Sequence, residues 1–305
     1  MSGTVTTATI YAELKPTLDS IVTDKSDGLE AKAIMPKLYK QSSQTDLYDD
    51  DAEIAWTGGY AAEKEQGANI VLGAIKQGGT TRYLLRTFAR SLRVTEEAQK
   101  FNKYPEAIDA AARLKRVLWQ TVDFDATGMF IHGFDTGYVP GPDGLPLYSA
   151  SHTLVDGGTF SNLGSALTPS KMAVALHRTQ AMKMPGHDGL PGGVDLMKVT
   201  FPVDQWDTWS GLTNSTHDPS AGAFNEINVI NHDMNLERVP NKYWRNTTTN
   251  YAYITDAENG FKWKWGWKPT GRTWVQENTM SIMHAQSGNW ARSCSNFRAT
   301  IGVNA

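Results

Sequence analysis

The sequence predicts an α+β fold, and three observations carry that expectation. One apolar stripe runs for about six helical turns, with Ala107, Ala111, Leu114, Leu118, Val122, Ala126 and Met129 recurring at spacings of three and four. A glycine-punctuated, β-favouring stretch from Ala52 to Arg93 precedes it. A strict period-two alternation, Phe261-Lys262-Trp263-Lys264-Trp265-Gly266-Trp267-Lys268, follows it.

Composition bounds what such a chain can be. With 305 residues, 40% of them hydrophobic, and 10 tryptophans, there is material for one large domain or two small ones. Lys and Arg number 29 against 32 Asp and Glu, so no global basic field exists to hold a nucleic-acid backbone. Cys294 is the only cysteine, which excludes an intrachain disulfide framework and a cysteine-rich zinc site and fits a reducing compartment. The first ten residues lack the charged and apolar regions of a signal peptide, and no segment approaches the roughly 20 apolar residues of a bilayer span. A soluble chain made in the cytoplasm is expected.

Taken in order, residues 1 to about 50 read as an extended arm that lies on something else. Short apolar clusters such as Ile10, Tyr11 and Leu14 are interrupted by Pro16 and Pro36, and Asp49-Asp50-Asp51 adds an acidic knot. A disordered tail is the alternative, although Leu38, Tyr39, Leu47 and Tyr48 are more apolar than free tails usually are. From 52 to 93, Gly58-Gly59, Gly67, Gly73 and Gly78-Gly79 punctuate the patches Ile70-Val71-Leu72 and Tyr83-Leu84-Leu85, predicting a long β-hairpin. Such a hairpin has little to bury internally and needs a neighbouring molecule to settle on.

Pro105 suits the first helical position, and Glu106 and Asp109 suit the positive end of the helix dipole. A helix of about 25 residues is roughly 37 Å long. Its other face carries Arg113, Lys115 and Arg116 early and Asp123 and Asp125 late, either as a solvated surface or as a contact where basic and acidic halves of two subunits meet. Between Gly133 and Gly164 the chain becomes loop-like, with Gly137, Pro140-Gly141-Pro142, Gly144, Pro146 and Gly157-Gly158. Thr168-Pro169 then reads as a helix start, with the helix running to about Met184. After a turn at 189–193 comes a strand over Leu196 to Phe201, and Pro202 opens a helix lining up Val203, Trp206, Trp209 and Leu212. The remainder is mainly β, with Asn259-Gly260 as a hairpin signal.

Candidate chemistry is sparse. The face of Phe261, Trp263, Trp265 and Trp267 could stack bases or sugars, but its lysines lie on the opposite face; a half-buried strand with a packed aromatic side and a solvated lysine side explains the same pattern. The seven histidines, at 132, 152, 177, 187, 217, 232 and 284, show no i, i+4 pair. His187-Asp188, His217-Asp218 and His232-Asp233 are adjacent, so their side chains are expected to diverge. Ser149 and Ser151 precede His152, yet no nucleophile elbow surrounds them. No Walker-type or dinucleotide-binding glycine motif occurs. No catalytic, cofactor-binding or metal-ligating residue is therefore nominated, and a structural role is expected.

The segment Asp143-Gly144-Leu145-Pro146-Leu147-Tyr148-Ser149-Ala150-Ser151-His152-Thr153-Leu154, followed by Gly157-Gly158-Thr159-Phe160-Ser161-Asn162-Leu163, resembles the loop after the long helix in the major capsid proteins of tailed bacteriophages. That loop reads, loosely, D-G-x-x-L-x-S-x-x-H-x-L and then G-G-T-x-S-N. The order of elements from about residue 50 to 305 is similar too, including Val94-Thr95-Glu96-Glu97-Ala98 leading into the helix and Phe297 to Val303 returning as a strand, although the aromatic-rich ending often seen there is weaker.

The resemblance implies the Hong Kong 97-type fold and a self-assembling subunit of hexamers and pentamers in an icosahedral shell around double-stranded DNA. On that map residues 1–50 are an N-terminal arm and 51–93 an extended loop lying over a neighbour. Residues 94–165 with 285–305 form a peripheral domain holding a spine helix at about 105–130, and 166–284 form an axial domain. It further implies copies of itself as principal partners, a portal, a possible decoration protein, only non-specific contact with packaged DNA, no membrane and no cofactor. The chain opens at Met1 directly into the arm, which favours a separate scaffolding protein. Assembly in the bacterial host's cytoplasm and residence in the virion follow. Some relatives cross-link a loop lysine to an asparagine; Lys64, Lys76 and Asn69 lie in this loop, with nothing to assign them that role.

Overall fold

The structure, a computed structural model, describes residues 7–23, 28–57, 59–67, 69–70, 72–95, 97–98, 104–138, 141–155, 157–186, 190–217, 227–244, 250–257 and 260–304. Gly58, Val71, Glu96, Pro140, His187, Asp188, Gly189, Asp218 and Asn259, invoked above, lie outside the described residues, as do residues 1–6.

Helices and antiparallel-rich sheets make an α+β architecture. The helices are α1 (Thr7–Thr23), α2 (Leu29–Lys32), α3 (Met35–Leu38), α4 (Tyr104–Ile131), α5 (Lys171–Lys183) and α6 (Trp206–Asn214). A four-stranded sheet contains, in spatial order, β1 (Lys40–Ser43), β11 (Phe261–Gln276), β12 (Ser281–Cys294) and β4 (Arg86–Val94). A five-stranded sheet runs β7 (Leu163–Gly164), β13 (Thr300–Val303), β10 (Tyr251–Thr255), β8 (Leu196–Pro202) and β9 (Glu237–Asn241). Two small ladders complete the set: β2 (Tyr48–Thr57) with β3 (Ala74–Leu84), and β5 (His152–Thr153) with β6 (Thr159–Phe160).

The long helix stands where its stripe predicts. All seven stripe residues of α4 are buried, and its 28 residues span about 42 Å. Trp119 meets Trp265 edge-on at 6.4 Å, and Phe130 and Tyr39 pack on Phe261, so the helix and the four-stranded sheet share one core. The charged-face expectation is corrected in part. Arg113 and Arg116 are exposed, but Lys115, Asp123 and Asp125 are buried and serve the chain's own packing. Asp123 Oδ1 accepts from the backbone N–H of Ile34 and Met35 at 2.7 and 3.2 Å, taking donors that the start of α3 leaves free. Asp125 accepts from Trp290 Nε1 at 2.9 Å and from Arg292 Nη2 at 2.8 Å.

The extended-arm expectation is also corrected. Residues 7–23 are helical with Pro16 inside the helix, because Leu14 and Leu18 bury against Ala107, Ala111, Val94 and Ile282, and this packing outweighs one missing backbone bond. The hairpin begins at Tyr48 and ends at Leu84; Arg86–Val94 leaves it to pair with β12. α5 starts two residues later than Thr168-Pro169 suggests, capped by Ser170, whose Oγ accepts from Ala173 N at 3.2 Å. Pro202 opens a 3-10 turn before α6, in which Trp209 and Leu212 are buried while Val203 and Trp206 are exposed. The boundary at 284/285 cuts the β11–β12 ladder, which runs from Phe261–Cys294 to Gln276–Ser281, and β13 joins the five-stranded sheet instead of the one beside α4.

Candidate functional site

The β2–β3 hairpin is anchored at its root by ion pairs and exposes apolar side chains beyond it. Its acidic run splits by strand period: Asp49 and Asp51 point one way, Asp50 the other. Asp50 meets its cross-strand partner Arg82 through two 2.7 Å bonds, and the hydrogen bond from Arg82 holds its carboxyl below the ordinary value. Asp49 and Asp51 meet the equally alternating lysines of β11. Lys264 Nζ lies 2.6 Å from Asp49 Oδ2 and 3.9 Å from the centre of the Tyr83 ring, while Lys262 pairs with Asp51. Burial opposes ionisation of Asp51, but hydrogen bonds from Lys262 and Ser295 outweigh it and keep its carboxyl below the usual range.

One step further along, the ladder shifts register between Ala52 and Ile54, so that Gly78-Gly79 bulge opposite Glu53. A Cβ at Gly78 would run into Val155, and one at Gly79 into Pro142, so these glycines let the shaft lie against residues 142–155. Glu53 Oε1 accepts from Arg298 Nη1 at 3.1 Å. Beyond this root the hairpin exposes apolar side chains: Ile54, Tyr60, Ile70 and Ile75 are each at least 66% exposed and Leu72 is 93% exposed. Lys64, Lys76 and Asn69 are exposed on the same hairpin.

The loop after α4 closes on itself as a polar latch. Asn162 Nδ2 donates to Leu147 O at 2.7 Å and to Phe297 O at 3.1 Å, and its Oδ1 accepts from Ser149 N at 2.9 Å. His152 stacks on Phe297 at 3.9 Å, with Nδ1 2.8 Å from Asp143 Oδ2 and Nε2 3.3 Å from Leu147 O. Both ring nitrogens thus face acceptor oxygens, and neither is offered to Ser149 or Ser151. Ser149 Oγ instead accepts from Ser151 N at 3.3 Å.

The tryptophan strand is not an open platform. Trp263 and Trp265 are buried, Trp263 stacking on Trp290 at 5.7 Å and Trp265 donating from Nε1 to Gln41 Oε1 at 2.9 Å. Trp267 is exposed because the ladder shifts register on both sides of it. The lysine side is solvated only in part, since Lys268 is exposed while Lys264 is buried beneath the hairpin root. Cys294 is buried, and burial pushes its thiol up to about 12.

The remaining histidines are dispersed. His177 lies on the buried face of α5 with Nε2 3.2 Å from Ser165 O, His284 Nδ1 meets Thr273 Oγ1 at 2.9 Å, and His132 pairs with Asp135. His217 forms an isolated bridge with Ile227. His232 and its neighbour Asp233 do meet, at 2.7 Å, within a wide helical turn at 230–234. Among the described residues no three His, Cys, Asp or Glu side chains converge as a metal set, and no helix is long and apolar enough to cross a membrane.

No family model and no curated protein matches the chain. Solved structures do. The chain is similar to the capsid of Ralstonia phage GP4, with a TM-score of 0.55 and 12% identity over 88% of this chain and 87% of that one. The capsid of the cyanophage P-SCSP1u gives a TM-score of 0.54 at 11% identity, over 88% and 86% of the two chains. A chain of Microbacterium phage Oxtober96 gives 0.54 at 8% identity, over 89% and 90%. At these identities the likeness is one of fold, and the fold is that of phage capsid structures.

Proposed function

We propose that the chain is the major capsid protein of a tailed bacteriophage, a mechanical subunit whose copies form hexamers and pentamers of an icosahedral shell around double-stranded DNA. The hairpin carries this reading. Ion pairs lock its root while Ile54, Tyr60, Ile70, Leu72 and Ile75 remain largely uncovered by their own chain. A two-stranded ribbon with exposed apolar sides gains stability by lying on a neighbour. The shared fold with phage capsids supports the same conclusion.

On this reading the segment before β2 corresponds to the N-terminal arm, its described helices packed on their own chain, and the extended loop is centred on β2 and β3. The peripheral domain is α4 with the four-stranded sheet, and the axial domain is the five-stranded sheet with α5 and α6. Lys262 and Lys264 fasten the loop and bind no ligand. Copies of the chain are the principal partners, with a portal beside them; DNA is touched without sequence preference. Assembly takes place in the bacterial host's cytoplasm and the mature location is the virion.

Negative-stain microscopy of the purified chain tests this, with shells, tubes or capsomers expected. A strict monomer across concentrations and salts would end the reading. An Ile54→Asp, Ile75→Asp variant is expected to keep its melting temperature and lose assembly.

A further inference from the structure

Two exposed apolar patches sit on opposite edges of the layer formed by the five-stranded sheet and its helices. On α5, Met172, Leu176 and Met182 are 69%, 43% and 42% exposed. Together with exposed Ala175 and Thr179 they fill an arc of about 120°, on the side where a solvent-facing helix ordinarily carries charge. Exposed Lys183 closes the stripe at its C-terminal end. This helix lies along the β7 edge, where Gln180 Nε2 donates to Ser161 O and Leu163 O at 3.2 and 3.0 Å. At the other edge, Val203 and Trp206 are 48% and 43% exposed. The Arg238 guanidinium of edge strand β9 lies 5.2 Å from the Trp206 ring centre, and exposed Asp204 and Asp207 flank the pair.

We propose that the α5 patch of one copy docks on the Val203–Trp206 patch of a second copy, head to tail. The rims complement each other: a lysine ends the methionine stripe, and two aspartates outnumber the single arginine around the tryptophan. The two surfaces differ, so the contact is heterologous. Because they occupy opposite edges, every docked copy still offers one surface of each kind, and the series closes into a ring when the rotation allows. Methionines, which repack easily, suit one surface to rings of different member number. The inference rests on the shell-subunit reading and adds the surfaces through which copies meet around a ring.

Charge reversal in the full-length chain tests it, read by sedimentation velocity and negative-stain microscopy. Lys183→Glu and Asp207→Lys are each expected to lower the association constant roughly tenfold at low salt, with unchanged melting temperature. The double variant is expected to recover it. An equal mixture of the two single variants is expected to restore even-membered rings alone, because the two variants must alternate. If the wild type assembles and both single variants assemble as it does, or if neither the double variant nor the mixture recovers, the docking is wrong and the shell reading stands. If the wild type never assembles, both fall.

Discussion

Arg298 and Glu53 form a 3.1 Å ion pair in which the two side chains are only 4% and 7% exposed. The same guanidinium donates from Nε to Pro185 O at 2.6 Å and from Nη2 to Gly186 O at 3.2 Å. One side chain therefore joins the hairpin root, the segment leading into β13 and the turn after α5.

Removing one partner leaves the other charge enclosed. Arg298→Ala is expected to cost about 3–5 kcal/mol in urea unfolding. Combining Glu53→Gln with Arg298→Met should cost less than the sum of the single changes, since neither charge then remains. Strict additivity would show that the two groups do not act as a pair.

Asn162 predicts a second sensitive point. Its amide nitrogen faces two carbonyl oxygens, so Asn162→Asp, which sets an oxygen against them, should lower the melting temperature more than Asn162→Ala, itself costing about 1–3 kcal/mol. Calorimetry at neutral pH decides the order.

Acid should act in two windows. Burial holds His177 and His284 below the ordinary 6.5, opposed by a bond to Ser165 O for the first and by Asp19 for the second. The unfolded chain therefore takes up these protons first, and stability present above pH 6.5 is lost as pH falls toward the depressed folded values. Asp51 and Asp143 lie below 3.8 when folded, so their contribution is present above that value and lost as pH falls further. Melting temperatures measured across both windows should show two steps. His177→Gln with His284→Gln flattens the upper one, and Asp51→Asn reduces the lower.

Gly302 lies under the Tyr148 ring, and a Cβ there would collide with it. Gly302→Ala should cost about 1–3 kcal/mol by overpacking, whereas Gly137→Ala, with nothing within 4 Å of its added carbon, should stay within about 0.5 kcal/mol. Equal melting temperatures for the two variants would contradict this packing.

What could be read in advance was local. The α4 stripe and the β11 alternation are periodicities within a dozen or two residues; the stripe is buried throughout, and the alternation forms the strand but fails to sort its faces at Lys264 and Trp267. The acidic run at 49–51 and the lysines at 262 and 264 are each visible in the chain, but their union is not, because Lys262 and Asp51 stand 211 positions apart. The same separation hid why those lysines leave water. Helix α1 was masked by Pro16, since its stability comes from Leu14 and Leu18 on a distant sheet and not from propensity. Arg298 carried a usable signal: a lone charge between Phe297 and the apolar run to Val303 asks for a buried partner. Nothing in the sequence pointed to Glu53 as that partner.

The placement of β13 between β10 and β7 has a consequence for time. Gly302 and Val303 must reach Leu163 and Gly164 across a loop of about 140 residues, a closure that local contacts cannot prepare. The five-stranded sheet stays incomplete until the ribosome has delivered residue 303, and the helices it carries have no finished floor before then.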